Sequence, residues 1–349
     1  MNFFCIALPL AIRCTSGSIL MAVISSNLLL TVISIFLRSV YNIKDSRYKI
    51  LYVFPAVILV RSIFPLEFSF SRIISLPQAI SHRLGTLNAP LFSLYGKEIS
   101  VVTILLAIWA VGSLIKGYCY FHNLISGRRY VRYYTAEVTD KEPYRRIVEK
   151  ICLECGKNDP IRIFKVDGLD IPALNGIVTP YILLPGDLDL IEEDLYYILK
   201  YYIVHYFQHS LMCKFLINIL EILFWWNPVV YLFKRQVGFF LDIQADETVT
   251  QGEKQVVCDY LNSRMRVLRF ASKKTHVTKG MNLNVYIAEL NDRFQLMMRK
   301  QEKKKWIPQY LILASLALAI ILLSYRFVPV TDYVPSELET VWADSEETE

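Results

Sequence analysis

Two histidines stand four residues apart in His205-Tyr206-Phe207-Gln208-His209. On an α-helix that spacing places both side chains on one face, one turn apart, so two imidazoles can reach the same metal ion. A metal held in this way lowers the pKa of a bound water to about 7 and turns it into a nucleophile. Hydrolysis with that water also needs a base next to the first histidine, and in H-E-x-x-H helices a glutamate takes the place. Here the residue is Tyr206, and a phenol with an ordinary pKa near 10 stays protonated at neutral pH. General acid–base help is worth about 10²–10⁴ in rate, so the pattern predicts metal ligation with weakened chemistry. The same spacing also arises by chance on helices that hold no metal, and residue types alone leave both readings open.

The histidines need a helix, and the flanking sequence offers one. Asp189 and Glu192 form a capping-box pattern that opens a helix predicted to run through Tyr196, Leu199 and Ile203 to Met212. Upstream, residues 144–155 read as a helix, and residues 161–166 and 177–184 read as strands bounded by Asp167-Gly168 and Pro185-Gly186. Downstream, residues 215–233 are apolar except for Glu221 and are broken at Asn227-Pro228. We read them as a helical hairpin that is buried in the domain or lies against the membrane. A further crossing there would put the basic clusters at Arg128 and Lys303 on opposite sides.

Composition says where such a domain sits. Of 349 residues, 54% are hydrophobic and 20% charged, against about 45–50% and 25% in soluble proteins. The excess gathers in stretches near residues 17–37, 48–66, 99–121 and 306–326, each predicted to cross a bilayer. The second carries Arg61, expected to snorkel to the interface. Residues 1–12, apolar with no basic start and no cleavage site, read as an extension of the first helix or an interfacial segment. Arg38, Lys44, Arg47 and Lys49 follow the first stretch, Lys116, Arg128, Arg129 and Arg132 the third, and the basic run 299–305 precedes the fourth. These flanks are predicted to be cytoplasmic. Residues 1–121 are then a membrane region, residues 122–305 a cytoplasmic domain, residues 306–326 the fourth span, and residues 327–349 an acidic external tail. The net charge of +6 describes this topology and points to no nucleic-acid partner. Seven cysteines exclude a disulfide-dense secreted scaffold, and Cys152-x-x-Cys155 reads as a pair of reduced thiols.

With these elements in place, the chain resembles the BlaR/MecR-type integral-membrane zinc metallopeptidases, the beta-lactam sensor-transducers and their sensorless relatives. The resemblance covers most of the chain. Arg47-Tyr48 leading to Val60-Arg61 and Pro65 is similar to the family's second span. Gly176, Pro180 and Ile182-Leu183-Leu184-Pro185 are similar to its strand before the zinc helix. Phe224-Trp225-Trp226-Asn227-Pro228 resembles its W-x-N-P hairpin, and Asp242 through Glu247 its E-x-x-C-D-E signature.

The resemblance implies a mostly α protein with four spans and a cytoplasmic α+β zincin-like domain of the glutamate type between spans three and four. It implies zinc as cofactor, with His205, His209 and Asp242 at the ligand positions, Asp246 supporting them, and Tyr206 at the place of the catalytic base, where it is expected not to serve. Ile182 and Leu183 would lie on an edge strand that receives an extended peptide by β-addition, or on a purely structural one. The sequence departs from the pattern in three further places. Asp242 is one methylene shorter than the family glutamate, Ala245 replaces a cysteine, and Lys214 stands where an aspartate is common.

These readings predict a peptidase-family membrane protein with lost or impaired proteolysis and a signalling or regulatory role. The alternative is an active zinc metalloendopeptidase that cuts a cytoplasmic repressor or another protein. The expected partners are the lipid bilayer and such a cytoplasmic protein. Residues 327–349 contain no lysine and leave no room for the S-x-x-K chemistry of a penicillin-binding domain, so no beta-lactam binding is expected.

Overall fold

Long apolar stretches with few charges fold as helices, and helices dominate this chain. The computed structural model describes residues 3–6, 12–14, 16–40, 53–66, 71–75, 81–82, 85–87, 89–94, 97–157, 159–177, 179–273, 283–298 and 307–330. The basic residues 44–49 and 299–305 and the acidic tail from residue 331 onward fall outside these segments.

Two of the described helices are long and apolar enough to cross a bilayer, α1 (Ser16–Val40) and α3 (Val101–Tyr134). α2 (Val53–Ile63) and the apolar part of α10 (Ile307–Arg326) are shorter. α3 does not end near residue 121 but continues as one helix to Tyr134, where Val131 packs on a sheet. Residues 3–6 and 12–14 do not extend α1. β1 (Phe3–Ile6) pairs antiparallel with β2 (Ile12–Cys14).

The C-terminal ends of α2 and α10 are tied together. Arg61 does not snorkel; it is 1% exposed. Its Nε donates to Ser324 Oγ at 2.8 Å and its Nη2 to the Ser324 carbonyl at 3.2 Å, while the guanidinium lies 4.3 Å from the Tyr325 ring centroid. α10 thus brings acceptors and a π-face to the cation, which need not reach water. Just beyond, β3 (Arg72–Ser75) runs parallel to β10 (Phe327–Val330) and continues the same seam, and β4 (Pro90–Leu94) pairs antiparallel with β5 (Lys97–Ser100) before α3.

The apolar stretch after the histidines is a helical hairpin, α6 (Ser210–Leu223) and α7 (Pro228–Thr250). Pro228 opens α7, and Asn227 caps it by accepting from the Val229 amide at 2.9 Å. The hairpin packs among the apolar helices. α6 packs against α2 and α3, and α7 against α1. Asn227 Nδ2 reaches Asn27 Oδ1 of α1 at 2.5 Å. Trp109 of α3 donates to the Leu223 carbonyl at 2.8 Å, satisfying an acceptor that the end of α6 leaves free. Trp225 returns a bond to the Trp109 carbonyl at 3.3 Å over Gly112, where a Cβ would come within 2.4 Å of its ring. Glu221, the one charge in the stretch, pairs with Lys234 at 2.6 Å and Lys116 at 3.7 Å. Leu30, Ile58, Leu220, Phe233 and Phe240 therefore share one core.

A second core lies behind a four-stranded sheet. β6 (Ala136–Glu137), β7 (Arg162–Val166), β8 (Ala173–Asn175) and β9 (Tyr181–Pro185) are ordered β6-β7-β9-β8, with β7 and β9 parallel. The expected strand 177–184 is shorter, because β9 begins only at Tyr181 and Gly176 bends the chain after β8. Gly176 has φ +87, and a Cβ there would sit 2.1 Å from the Thr179 carbonyl oxygen. Ile182 and Leu183 point to opposite faces. Ile182 joins the core formed with α4 (Tyr144–Cys155), α5 (Glu192–Phe207) and α8 (Lys254–Lys273), and Leu183 packs with Phe164, Tyr181 and Val131. β9 is paired on both sides, so the edge-strand reading of Ile182 and Leu183 is corrected. A strand whose amides and carbonyls already serve two neighbours cannot accept a peptide. The edges belong to β6 and β8.

Candidate functional site

α5 carries the first histidine toward the centre of the domain. Its N-cap is Ile191 and makes no side-chain cap, so the expected Asp189–Glu192 box does not form. Glu192, Glu193 and Asp194 in the first turn complement the helix dipole instead. Asp194 also holds Ser263 at 2.8 Å and Arg266, fastening α5 to α8.

The helix then stops sooner than expected. The His209 amide bonds back to the Tyr206 carbonyl at 2.9 Å, closing a tighter turn, and His209 adopts φ 56 and ψ 26. A left-handed residue ends the ladder, and α6 begins at Ser210. His205 and His209 therefore do not sit one turn apart on a continuous helix. His209 lines a cleft of about 860 Å³, with Phe207, Gln208, Cys213, Gln244 and Glu247 around it.

His205 is 4% exposed, with its ring 4.5 Å from Tyr201 in an edge-on contact. Its Nε2 lies 3.4 Å from Asp242 Oδ1, and neither ring nitrogen makes a hydrogen bond among the described residues. Burial pushes its pKa down to about 3, against the pull of Asp242, so the ring is neutral. Asp242 is ringed by cations. Lys214 of α6 is 3.6 Å from Oδ1, and Nη1 of Arg293 donates to Oδ2 at 3.2 Å. Burial raises the carboxyl, but Lys214, Arg293 and the other neighbours outweigh it and hold the pKa at about 2.

One turn along α7, Asp246 is wholly buried. Arg293, on α9 (Leu283–Met298), grips it with Nε to Oδ2 and Nη2 to Oδ1, both at 2.7 Å. Tyr260 of α8 donates to Oδ1 at 2.6 Å. Arg264 lies 4.1 Å above the Tyr201 ring and adds a further positive charge. Tyr206 joins none of this. It packs beside Phe207, and burial, with the charge of Asp159, raises its phenol above 10.

The structure sets His205 against Asp242 and links Asp242 to Asp246 through Arg293, while His209 and Tyr206 take no part in these contacts. Lys214 stands out in the sequence as a departure, but Arg293 escapes the motif. Its signal is a positive charge on the apolar face of an amphipathic helix, with Leu290, Phe294 and Met297 around it. A zinc ion fits this arrangement poorly. Among the described residues no three His, Cys, Asp or Glu side chains converge, and the one carboxylate near His205 already faces two cations.

The hairpin packs among apolar helices, two of them long enough to cross a membrane, beside an α+β domain with a histidine-bearing helix. Comparison makes this specific. The model of the BlaR1 peptidase M56 family matches residues 20–297, and the chain belongs to that family. It is 23% identical over 292 residues to the methicillin resistance mecR1 protein of Staphylococcus aureus, covering 77% of this chain and 46% of that protein. The mecR1 protein of Staphylococcus epidermidis gives the same values. The regulatory protein BlaR1 of Bacillus licheniformis is 24% identical over 110 residues, 31% of this chain and 15% of that protein. The chain thus spans less than half the length of these relatives.

Proposed function

We propose that this protein is a peptidase-family member whose proteolysis is lost or strongly impaired and whose role is signalling or regulation at a membrane. The observation that carries the reading is Tyr206. It stands at the position of the family's base, burial and the charge of Asp159 raise its phenol, and its ring packs beside Phe207. Without a base the water loses its proton acceptor and the leaving amine its donor, a loss of about 10²–10⁴ in rate.

The proposal includes four spans, formed by α1, α2 with its flanks, α3 and α10, with residues 122–305 cytoplasmic and residues 327–349 external. Exposed apolar side chains along α1, α3 and α10, such as Ile24, Ile108, Leu114 and Leu318, support a lipid-facing belt. The relatives are called regulatory and resistance proteins, and a cytoplasmic repressor or similar protein is the partner that this reading assigns.

Proteolysis of a candidate repressor by the purified chain tests it. The expected result is no cleavage by wild type, with or without added zinc. Robust wild-type hydrolysis that His205→Ala abolishes would sink the reading. Tyr206→Glu tests whether the base alone is missing, and the ringed Asp242 predicts that it restores little. The second reading, an active zinc endopeptidase, draws on one observation, the two unpartnered nitrogens of buried His205 beside Asp242. Buried polar atoms of that kind ask for a missing partner, which a metal or a water can supply.

A further inference from the structure

Sites that bind divalent metals gather neutral or negative donors around a gap that only a cation fills. In this chain the cation is covalently part of the protein. α9 delivers Arg293, with a 3% exposed side chain, between α5, α7 and α8. Guanidinium suits the position because its planar fork is permanently charged and can serve two carboxylates at once. Nε and Nη2 close on Asp246, Nη1 takes Oδ2 of Asp242, and Nη2 also approaches the Tyr201 hydroxyl at 3.4 Å. Oδ1 of Asp242 faces Lys214 at 3.6 Å. A dication placed between His205 and Asp242 would stand against both positive groups, and within a few ångströms that repulsion is strong in a poorly solvated interior.

We propose that Arg293 is the resident cation of this site and that α9 is a latch, holding Asp242 and Asp246 from inside and closing the site to divalent metal. The inference deepens the lost-peptidase reading and rests on it for the identity of the site. It explains why Asp246, wholly buried, needs no metal nearby. Arg293 and Tyr260 satisfy it completely. It also gives the short Asp242 a role of its own, as the second carboxylate on a cation that reaches it from α9. Leu290, Phe294 and Met297 seat the same helix in the domain core, so the cation is delivered by an element with an apolar anchor of its own.

Zinc binding by the full-length protein in detergent, after stripping with chelator and with folding checked by circular dichroism and size exclusion, tests the latch. Wild type should take up no zinc that His205→Ala removes. Arg293→Gln should gain a zinc site that depends on His205, with affinity higher by about tenfold or more. Where Arg293→Gln fails to fold, the charge-neutral double variant Arg293→Met with Asp246→Asn removes the latch without stranding a carboxylate and should gain the same site. One zinc per wild-type chain, lost in His205→Ala, would overturn the proposal, as would folded variants that gain none. Zinc binding by wild type without cleavage would defeat the latch alone and leave the lost-peptidase reading standing. Cleavage that depends on His205 would defeat that reading.

Discussion

Three arginines are buried among the described residues, and two of them, Arg293 and Arg61, are accommodated in opposite ways. Arg293 sits in the domain among carboxylates and phenols, with two aspartates within hydrogen-bond reach. Arg61 sits between α2 and α10 on a hydroxyl, carbonyls and an aromatic ring, with no carboxylate among the described residues. The first is an ion cluster whose parts depend on one another, so removing one strands the rest. The second is a staple made of neutral acceptors, and its loss frees nothing charged. The same side chain therefore closes a site in one region and joins two helix ends in the other.

The largest effect should come from breaking the cluster on one side only. Arg293→Ala leaves Asp246 buried and uncompensated and should cost roughly 3–5 kcal/mol in denaturant unfolding. Arg293→Met combined with Asp246→Asn should cost far less, and equal losses would contradict an ionic cluster.

Acid should find the same region next. The folded pKa of His205, about 3, lies below its ordinary 6.5, so the unfolded chain binds the proton more tightly. Stability is full above pH 6.5 and falls as pH drops toward 3, by about 2 kcal/mol near pH 5. Asp242 has the opposite protonation chemistry but the same sign. Its folded pKa of about 2 lies below the ordinary 3.8, so its contribution is present above that value and is lost only as pH falls through 2. The window between pH 5 and 6.5 lies above the range of Asp242, and His205→Gln should flatten the unfolding profile there.

Smaller effects belong to the staple and the hairpin. Arg61→Gln should cost about 1.5 kcal/mol, the scale of a hydrogen bond to a charged group, with no new pH dependence between 5 and 6.5. A shift as large as that of Arg293→Ala would erase the contrast between the two regions. Asn27→Leu removes the bond to Asn227 and should cost roughly 0.6 kcal/mol, the usual scale for such bonds between membrane helices. Thermal unfolding of the two variants side by side checks both values.

Much of the architecture is legible in the sequence because it rests on local chemistry. Residues 144–155 read as a helix and form one, and the Asn227-Pro228 break is where the hairpin turns. What depends on distant partners is not legible. Nothing local says that Trp109 and Asn27 receive the hairpin tip, that β8 takes one side of β9, or that Ser324 and Tyr325 wait for Arg61. The site divides in the same way. His205 and Asp242 follow from the pattern and meet, and Asp246 is tied to Asp242 through Arg293. His209 does not join them, because an i,i+4 spacing carries meaning only if the helix continues, and the left-handed turn at His209 ends it. Arg293 is missed because it belongs to no motif and lies 51 residues beyond Asp242.

With Arg293 as the resident cation, an internal ion cluster and not a metal holds the domain's centre together. Thermal unfolding of the full-length protein, as purified, after chelation and with excess zinc, tests this directly. The midpoint should be the same in all three. A midpoint that falls on chelation and recovers with zinc in wild type, but not in His205→Ala, would contradict it.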